Sequence, residues 1–356
     1  MKVCITYHDK FRQYDLGVNH PFRGDRFIKA KDFFDKKGLS QSPNVVFLEP
    51  KSATCEDLLT VHAEEYVNLI SRLAELGKPY DIDTPVSRSI LEALMFIIGG
   101  VTEAGTAVVQ NSARRGVALG GGFHHAGKDY GGGFCLFNDI AILVENLRER
   151  HQIKRVLILD YDVHFGNGTS DIYYSDPSVL FISIHQDPMT IYPGRGFIDE
   201  LGEGEGKGYN INIPLPMRTG EQSYLHALKE IFPPLAEEFR PDIIVANGGS
   251  DAHFSDHLGS LGLTAKGFFE ISRTIGETAE KICDGRVLLL IGSGYNSMVL
   301  PYCWYALAAG IADPGGRKED IEDYYPAPQD PWRNQQSVER ILKDLKRVLN
   351  KYWGSF

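Results

Sequence analysis

The feature that most constrains the fold is a series of short, almost continuously apolar runs separated by stretches with helical spacing. Such runs are typical of parallel strands buried on both faces, and their alternation with helices indicates βαβ units. The predicted strands are residues 3–7, 116–120, 156–159, 179–184, 210–214, 243–246 and 287–291. The predicted helices are residues 89–109, 138–151, 223–239 and 265–282. The sequence therefore predicts an α/β protein built on a mainly parallel sheet.

Charge and cysteine content exclude several classes of protein. The chain carries 37 Lys and Arg against 47 Asp and Glu, a formal charge of −10, and its basic residues form no continuous stripe. A nucleic-acid-binding protein is therefore not expected, because phosphate contacts need clustered cations. The five cysteines are widely spaced and form no Cys-x-x-Cys pair, which favours reduced thiols in a cytoplasmic protein.

The sequence does not predict a segment that crosses a membrane. The apolar runs are far shorter than the roughly 20 residues that a spanning helix needs. Residues 1–5 are typical of a short strand and lack the pattern of a signal peptide. We therefore expect neither a membrane nor a nucleic acid among the partners of this chain.

The length of 356 residues suits one large α/β domain, 1–356. Residues 313–333 are rich in Pro, Asp and Gly and predict a long covering loop. Beyond this loop, apolar residues recur on one helical face, which predicts a terminal helix near residues 335–352 docked on the body of the domain. These residues are Val338, Ile341, Leu342, Leu345, Val348, Leu349 and Tyr352.

Residues able to bind a metal follow two predicted strands at their carboxyl ends, where ligands bind in open α/β sheets. Asp162 and His164 come after the strand at 156–159, and their spacing of two points both side chains the same way in an extended chain. Asp251 follows the strand at 243–246 and would complete an Asp/His/Asp set. Three protein ligands with one open position describe a catalytic zinc site. The alternative for Asp162 and His164 is local turn chemistry without a metal.

Three more residues lie near these candidate ligands along the chain. Asp160 lies two residues before Asp162, so in an extended chain its side chain faces the same side of the sheet. It is placed for a hydrogen bond to a histidine. His253 and His257 are close to Asp251, but a ligand role is not the favoured interpretation for either.

Candidate proton donors and acceptors occur in two glycine-containing motifs. His124 and His125 follow a run of three glycines, and imidazole is the usual general acid or base near neutral pH. Tyr295 follows a Gly-x-Gly turn after the strand at 287–291, and its hydroxyl could donate to a developing oxyanion. The alternatives are incidental loop histidines and a tyrosine packed over its own loop.

Two aromatic residues are candidates for the walls of a binding site. Phe134 follows the glycines at 131–133, and Tyr192 lies in an Ile-Tyr-Pro-Gly segment. Two such rings with little between them would suit a narrow tube for an unbranched aliphatic chain. Packing of both rings in the core is the alternative.

Taken together, these motifs resemble the zinc-dependent histone deacetylase superfamily. This superfamily includes bacterial and archaeal acetoin-utilisation proteins and the acetylpolyamine amidohydrolases. The resemblance runs in order through nearly the whole chain and implies an arginase-like α/β fold, with a central, mainly parallel sheet of about eight strands and helices on both faces. The matching segments are 19–21, Arg26, 124–125, 133–138, 160–168, Asp251 and 292–295.

The resemblance also implies roles for the residues of the site. Asp162, His164 and Asp251 are similar to the ligands of one Zn²⁺ per chain. His125 is similar to the histidine that acts as general base and then acid, and Tyr295 to the tyrosine that polarises the scissile carbonyl. The supporting catalytic residues are His124, Asp160 and Asn167, and the residues that match the acyl-lysine tunnel are Gly133, Phe134 and Tyr192.

Two structural K⁺ sites are further implications of the resemblance. The first is matched by Asp160, Asp162, His164, Ser183 and Ile184. The second is matched by Tyr173, Asp176, Val179 and Tyr209.

The chain also departs from the family pattern at four positions. Asn167 stands where one branch has Asp behind the base histidine, while another branch and many bacterial members have Asn. A neutral partner should raise the basicity of His125 less than a carboxylate would. Phe165 and Ser293 replace a His and a Gly beside the site. Leu258, which we assign to substrate binding, lies where an animal polyamine-specific enzyme carries a gatekeeper Glu. The absence of this carboxylate favours acyl-lysine over acetylpolyamine as the substrate.

The predicted function is therefore a zinc-dependent amidohydrolase that removes acetyl or other short acyl groups from lysine side chains of a protein or peptide, or from a small acylated amine. An acetylpolyamine or other small-amide amidohydrolase is the main alternative. A non-catalytic acyl-lysine binding protein would be expected to lose a ligand or the tyrosine. A two-manganese ureohydrolase needs more carboxylates than this site offers. The sequence leaves the oligomeric state open.

Overall fold

The computed structural model describes residues 2–312, 316–326 and 328–356. Eight strands form one parallel sheet with helices around it. The strands are β1 (Val3–Thr6), β2 (Val45–Leu48), β3 (Arg115–Leu119), β4 (Val156–Asp160), β5 (Val179–Gln186), β6 (Asn210–Leu215), β7 (Ile243–Gly249) and β8 (Val287–Ser293). Their order across the sheet is β2-β1-β3-β8-β7-β4-β5-β6. This arrangement confirms the predicted α/β fold with a central parallel sheet.

All seven strands predicted from apolar runs are present, and the eighth, β2, was missed. Strand β2 is the edge strand, its four residues are half-buried or exposed, and it pairs only with β1 among the described residues. An edge strand needs no continuous apolar run, because only one of its sides is covered. Strands β7 and β8 extend further than predicted, to Gly249 and Ser293, and so carry the chain directly to the residues of the site.

Ten α-helices surround the sheet in the described part of the chain. They are α1 (Asp25–Lys36), α2 (Cys55–Leu59), α3 (Glu64–Leu76), α4 (Arg88–Val109), α5 (Asp139–His151), α6 (Asn167–Tyr173), α7 (Glu221–Phe239), α8 (Ala265–Ile282), α9 (Leu300–Ala312) and α10 (Trp332–Leu349). The four helices predicted from periodicity correspond to α4, α5, α7 and α8 within two residues at each end. Several of these helices begin at a side-chain cap: Ser87 accepts from the N–H of Ile90, and Asn138 from that of Ala141.

Helix α4 corrects the expectation that no segment is long and apolar enough to cross a membrane. It has 22 residues and passes that test by length and composition. Ten of these residues are buried inside the protein, among them Ile97, Ile98 and Val101. Burial on this scale is typical of the core helix of a globular domain.

The chain divides into two compact units. The first unit comprises the described residues of Met1–Ile153, Gly166–Ile172 and Leu288–Gly292. Its core contains the apolar faces of α4 and α5 beside β1 and β3. The second unit comprises the described residues of Lys154–Phe165, Tyr173–Val287 and Ser293–Phe356. Its core is formed by strands β4 to β7 together with α7, α8 and α9.

The carboxyl-terminal part of the second unit contains the predicted terminal helix. Helix α10 begins at Trp332, three residues before the predicted start, and its apolar face lies against α7 and β6. In the predicted covering loop, residues 313–315 and 327 lie outside the described residues. The described part includes Asp330, which accepts hydrogen bonds from the N–H groups of Gly220 and Ser223 at the start of α7. Asp330 thereby caps a helix terminus that has no side-chain cap of its own.

Candidate functional site

The predicted metal ligands meet in the second unit. Strand β4 ends at Asp160, whose carboxylate accepts from the N–H of Asp162 at 3.2 Å. Asp162 in turn accepts from the N–H of His164 at 2.9 Å. In both cases a carboxylate accepts from the N–H two residues later, and these two turns orient the segment. Asp251 follows β7, and its Oδ1 accepts from the N–H of Val163 at 3.2 Å. One ligand atom from each of Asp162, His164 and Asp251 therefore lies within 4.8 Å of the others.

The spacing of these atoms fits a single divalent cation. Nδ1 of His164 is 3.0 Å from Oδ1 of Asp162 and 3.4 Å from Oδ2 of Asp251. Nitrogen and oxygen ligands bound at roughly 2.0–2.1 Å in tetrahedral geometry are about 3.3 Å apart. Oδ2 of Asp251 is buried and accepts no hydrogen bond from any described residue. A buried carboxylate oxygen in this state is an expected feature of a ligand whose partner is a metal.

Electrostatics point to the same interpretation. Burial opposes the charged form of His164, but the hydrogen bond with Asp162 and the negative charges of Asp162 and Asp251 outweigh it and raise the pKa of His164 to about 10. Burial and the nearby charge of Asp162 raise the pKa of Asp251 to about 7. The cluster therefore attracts positive charge, which a bound divalent cation would supply.

Asp160 is fully buried below this cluster. Its Oδ1 accepts from Nδ2 of Asn247 at 3.1 Å as well as from the backbone of Asp162. Asp160 pairs in register with Ser183 of β5, whose hydroxyl is 2.8 Å from Nδ1 of His185. Asp160 thus joins strands β4 and β7 at the level of the candidate ligands.

In the first unit, His124 and His125 follow β3 in a loop fixed by a buried carboxylate. Asp139, the first residue of α5, accepts from the N–H of Gly122 at 2.8 Å and from that of Phe123 at 2.7 Å. Burial raises the pKa of Asp139 to about 6, although backbone hydrogen bonds oppose this shift. Both histidines are buried, with ring centroids 4.1 Å apart. Asp139 therefore determines where the backbone presents the two imidazoles.

His125 lies against Asn167, the first residue of α6. Nδ1 of His125 is 2.7 Å from Oδ1 of Asn167, and both side chains are buried. An amide oxygen only accepts hydrogen bonds, so the proton of this pair is on Nδ1 of His125. In a neutral ring this tautomer places the lone pair on Nε2, the atom through which a general base would act.

Tyr295, in the second unit, is half-buried and lies in a loop held by Asp256. Oδ2 of Asp256 accepts from the N–H of Tyr295 at 2.7 Å and from that of Asn296 at 3.2 Å. Burial raises the pKa of Asp256, and its backbone hydrogen bonds oppose the shift. Nδ2 of Asn296 also donates to the carbonyl of Ser255 at 2.7 Å. The segments around Asp256 and Tyr295 are therefore tied together through their backbones.

Phe134 lies in a two-residue turn of the first unit. Reciprocal backbone hydrogen bonds between Gly132 and Cys135 close the turn, in which Gly133 has φ 53° and Phe134 has φ 70°. Two positive φ values define a type I′ turn, which costs little for a glycine but is unfavourable for a phenylalanine. The hydroxyl of buried Tyr14 donates to the carbonyl of Phe134 at 2.6 Å and stabilises this conformation.

The other predicted substrate-binding residues lie in the second unit. Tyr192 is 49% exposed and Leu258 is 37% exposed, so neither packs in the core, and both are available for contact with a ligand.

The residues assigned to K⁺ binding lie in two segments of the second unit. Ser183 and Ile184 are buried in β5 beside the end of β4. Tyr173, Asp176 and Val179 form consecutive turns, in which the N–H of Asp176 donates to Tyr173 and the N–H of Val179 to Asp176. Tyr209 accepts from the N–H of Phe181 at 2.8 Å.

Three residues that shape the site were missed from sequence: Tyr14, Asp139 and Asp256. Asp139 had a detectable signal, because it is an acidic residue directly before the apolar run 140–144 of α5. Tyr14 and Asp256 had none, since their partners are distant along the chain and are backbone groups.

Comparison with known proteins identifies the family. A model of the histone deacetylase domain matches residues 20–311. A probable deacetylase of Archaeoglobus fulgidus is 37% identical over 100% of both chains, and one of Methanothermobacter thermautotrophicus is 41% identical over 86% of this chain and 88% of its own. The acetoin utilization protein AcuC of Bacillus subtilis is 32% identical over 84% of this chain and 79% of its own.

Among solved structures, the HDA15 HD domain superposes with a TM-score of 0.86 over 99% of this chain and 96% of its own. At 24% sequence identity this match supports the fold alone. The sequence matches, in contrast, cover 84–100% of this chain at 32–41% identity. The chain therefore belongs to the histone deacetylase domain family and is a hydrolase of the deacetylase type.

Proposed function

We propose that this protein is a zinc-dependent amidohydrolase that removes acetyl or other short acyl groups from lysine side chains. The observation that carries the proposal is the convergence of Asp162, His164 and Asp251, with a buried carboxylate oxygen that accepts no hydrogen bond from the described residues. Family membership supports a deacetylase and implies a metal. One imidazole and two carboxylates with an open position suit Zn²⁺ as a catalytic ion.

When bound, such an ion polarises an amide carbonyl and lowers the pKa of a water molecule towards 7. His125 then acts as general base through Nε2, because its Nδ1 proton is donated to Asn167. The hydroxyl of Tyr295 donates to the oxyanion that develops on the former carbonyl oxygen. His125 finally returns a proton to the leaving nitrogen, which releases a carboxylate and a free amine.

The aromatic residues support an acylated chain as substrate. Phe134 is held in its turn by Tyr14, and Tyr192 and Leu258 expose apolar surface. An apolar side chain at Leu258 offers no charge to a cationic polyamine, which favours acyl-lysine. Acetylpolyamine or another small amide remains the alternative substrate class.

Zn²⁺ and K⁺ binding and a cytoplasmic location are parts of the same proposal. For K⁺, the turn residues Tyr173, Asp176 and Val179 offer backbone carbonyls, which hard cations prefer. Potassium is tested by the dependence of thermal stability on KCl compared with NaCl at equal ionic strength.

The substrate is tested by measuring kcat/KM of the zinc-loaded protein on acetyl-lysine peptides, longer acyl-lysine peptides and acetylputrescine. A preference for the peptides supports the proposal. A preference for acetylputrescine selects the alternative, and the absence of turnover on all of them contradicts both.

The mechanism is tested with Tyr295→Phe and His125→Ala. We expect each to lower kcat at least about 100-fold, because each removes a group that moves or donates a proton in the transition state. Zinc content, measured by elemental analysis, should match the wild type, since neither residue belongs to the Asp/His/Asp set. Near-wild-type rates in both variants would contradict the mechanism.

A further inference from the structure

A chain of hydrogen bonds continues from His125 past Asn167 to the surface of the first unit. Nδ2 of Asn167 lies 3.3 Å from the hydroxyl of Tyr130 and 3.5 Å from the backbone carbonyl of His125. The Tyr130 hydroxyl is in turn 2.5 Å from Oδ2 of Asp171, which lies one turn further along α6. Asp171 is exposed, Tyr130 is half-buried, and Asn167 and His125 are buried.

The direction of each hydrogen bond follows from the exposed end. A carboxylate only accepts, so the single proton of the Tyr130 hydroxyl is donated to Asp171. The Tyr130 oxygen must then accept, and its donor is Nδ2 of Asn167. The amide is therefore oriented with Oδ1 towards His125, an orientation that the backbone carbonyl of His125 also favours. Oδ1 accepts from Nδ1 of His125, which leaves Nε2 without a proton.

We infer that Tyr130 and Asp171 are positioning residues that fix the tautomer of His125 through the orientation of the Asn167 amide. This inference deepens the proposed function and rests on it for its catalytic consequence. An asparagine that is free to rotate could present either Oδ1 or Nδ2 to His125. With Nδ2 presented, the imidazole would carry its proton on Nε2 and could not act as a base.

The same arrangement explains how a neutral residue can stand behind a general base. A carboxylate in place of Asn167 accepts with either oxygen and needs no external orientation. The amide needs a partner that distinguishes its two ends, and the pair of Tyr130 and Asp171 supplies one. The negative charge of Asp171 then lies three hydrogen bonds away from His125, at the surface, where water screens it.

The inference is tested directly by NMR on metal-free protein labelled with ¹⁵N in histidine. Correlations between the ring nitrogens and carbon-bound protons identify which nitrogen is protonated, and comparison with His125→Gln assigns the signals of His125. We expect the wild type to carry its proton on Nδ1. Tyr130→Phe should convert part of this population to the Nε2 tautomer, whereas Asp129→Asn, which changes an exposed carboxylate beside Tyr130, should not.

Kinetics supply the second measurement. Tyr130→Phe should lower kcat about threefold to tenfold, the amount expected for losing one orienting hydrogen bond, with KM unchanged within about twofold. Asp171→Asn should have a smaller effect in the same direction, and Asp171→Glu should restore wild-type kcat. In an Asn167→Ala background, Tyr130→Phe should cause no further loss of kcat, because its effect passes through the amide.

Two results would overturn the inference. One is an unchanged His125 tautomer in both Tyr130→Phe and Asp171→Asn. The other is a loss of kcat in Tyr130→Phe that is undiminished in the Asn167→Ala background, which would indicate a merely structural role. If Tyr130→Phe does not fold, Asp171→Asn at the exposed end decides. If the wild type hydrolyses no amide, the proposed function fails, but the NMR measurement still decides the tautomer.

Discussion

The two units of this chain stabilise their candidate site residues in opposite ways. In the second unit, Asp162 and Asp251 crowd His164 in a buried cluster whose charges are not balanced by hydrogen bonds alone. In the first unit, the buried polar groups around His125 are matched donor to acceptor, with the neutral amide of Asn167 behind the imidazole. The Asp162/His164/Asp251 cluster therefore has the chemistry of the proposed cation site, whereas the polar groups around His125 pair with one another.

This difference indicates which property each unit contributes. A carboxylate-rich cluster binds a metal because ionic repulsion is relieved on binding. A neutral imidazole whose Nδ1 donates to an amide oxygen keeps its lone pair on Nε2. Substitutions in the Asp162/His164/Asp251 cluster should therefore affect metal content first. Substitutions around His125 should affect proton transfer or folding while the metal stays bound.

The largest expected effect is that of Asp251→Ala. Removing a ligand should lower the zinc content and reduce kcat/KM at least about 1,000-fold, a loss of roughly 4 kcal/mol of transition-state stabilisation. Elemental analysis and steady-state kinetics measure both quantities. His257→Ala, which changes an exposed histidine nearby, is the matched control and should retain metal and activity. Full zinc content in Asp251→Ala would contradict the proposed difference between the two units, because metal binding would then not depend on the carboxylates of the Asp162/His164/Asp251 cluster.

The next effect concerns stability in the first unit. Nε2 of buried His62 accepts from the N–H of Asn138 at 2.9 Å, and burial lowers the pKa of His62 to about 4. An unfolded histidine titrates near 6.5, so the unfolded state binds the proton first as the pH falls. His62 therefore contributes stability that is present above about pH 6.5 and is lost progressively as the pH falls towards 4. Between pH 7 and pH 5 this loss should be about 2 kcal/mol.

Urea unfolding of the wild type and His62→Gln at pH 7 and pH 5 measures this contribution. Glutamine can still accept from Asn138 but does not titrate, so the variant should lack this part of the pH dependence. Asp139 contributes in the opposite direction, because its raised pKa stabilises the fold on acidification. This contribution is the same in both proteins, so the difference between their free energies of unfolding reports His62 alone. Equal pH dependence in both proteins would show that stability does not depend on keeping buried His62 neutral.

The smallest effect is expected for Asp256→Asn in the second unit. Asparagine has one accepting oxygen where Asp256 uses both, so at least one backbone hydrogen bond near Tyr295 or Leu258 should be lost. We expect kcat to fall about tenfold or less and the free energy of unfolding to fall by about 1–2 kcal/mol, with zinc content unchanged. Ser297→Ala, at an exposed position in the same loop, is the control. Loss of zinc in Asp256→Asn would instead place this carboxylate with the metal ligands.

Much of the fold was predictable because parallel strands buried on both faces leave a local record of apolar residues. Strand β4 and helix α8 follow from their own sequences. Strand β2 does not, because an edge position relaxes the requirement for apolar side chains. The length of α4 was also predicted within a residue at each end, yet its apolar composition shows that length and hydropathy cannot distinguish a core helix from a spanning one.

The sequence by itself determined which residues could carry the chemistry: Asp162 and His164 are neighbours on one strand end, and His124 and His125 are adjacent. Their residue types suit metal binding and proton transfer. Only the tertiary structure decided how these groups are held. The contacts of Asp139, Asp256 and Tyr130 join segments that are distant along the chain, and their partners are backbone groups or the ends of an amide. Such contacts leave no periodic pattern, because they depend on where the folded backbone passes.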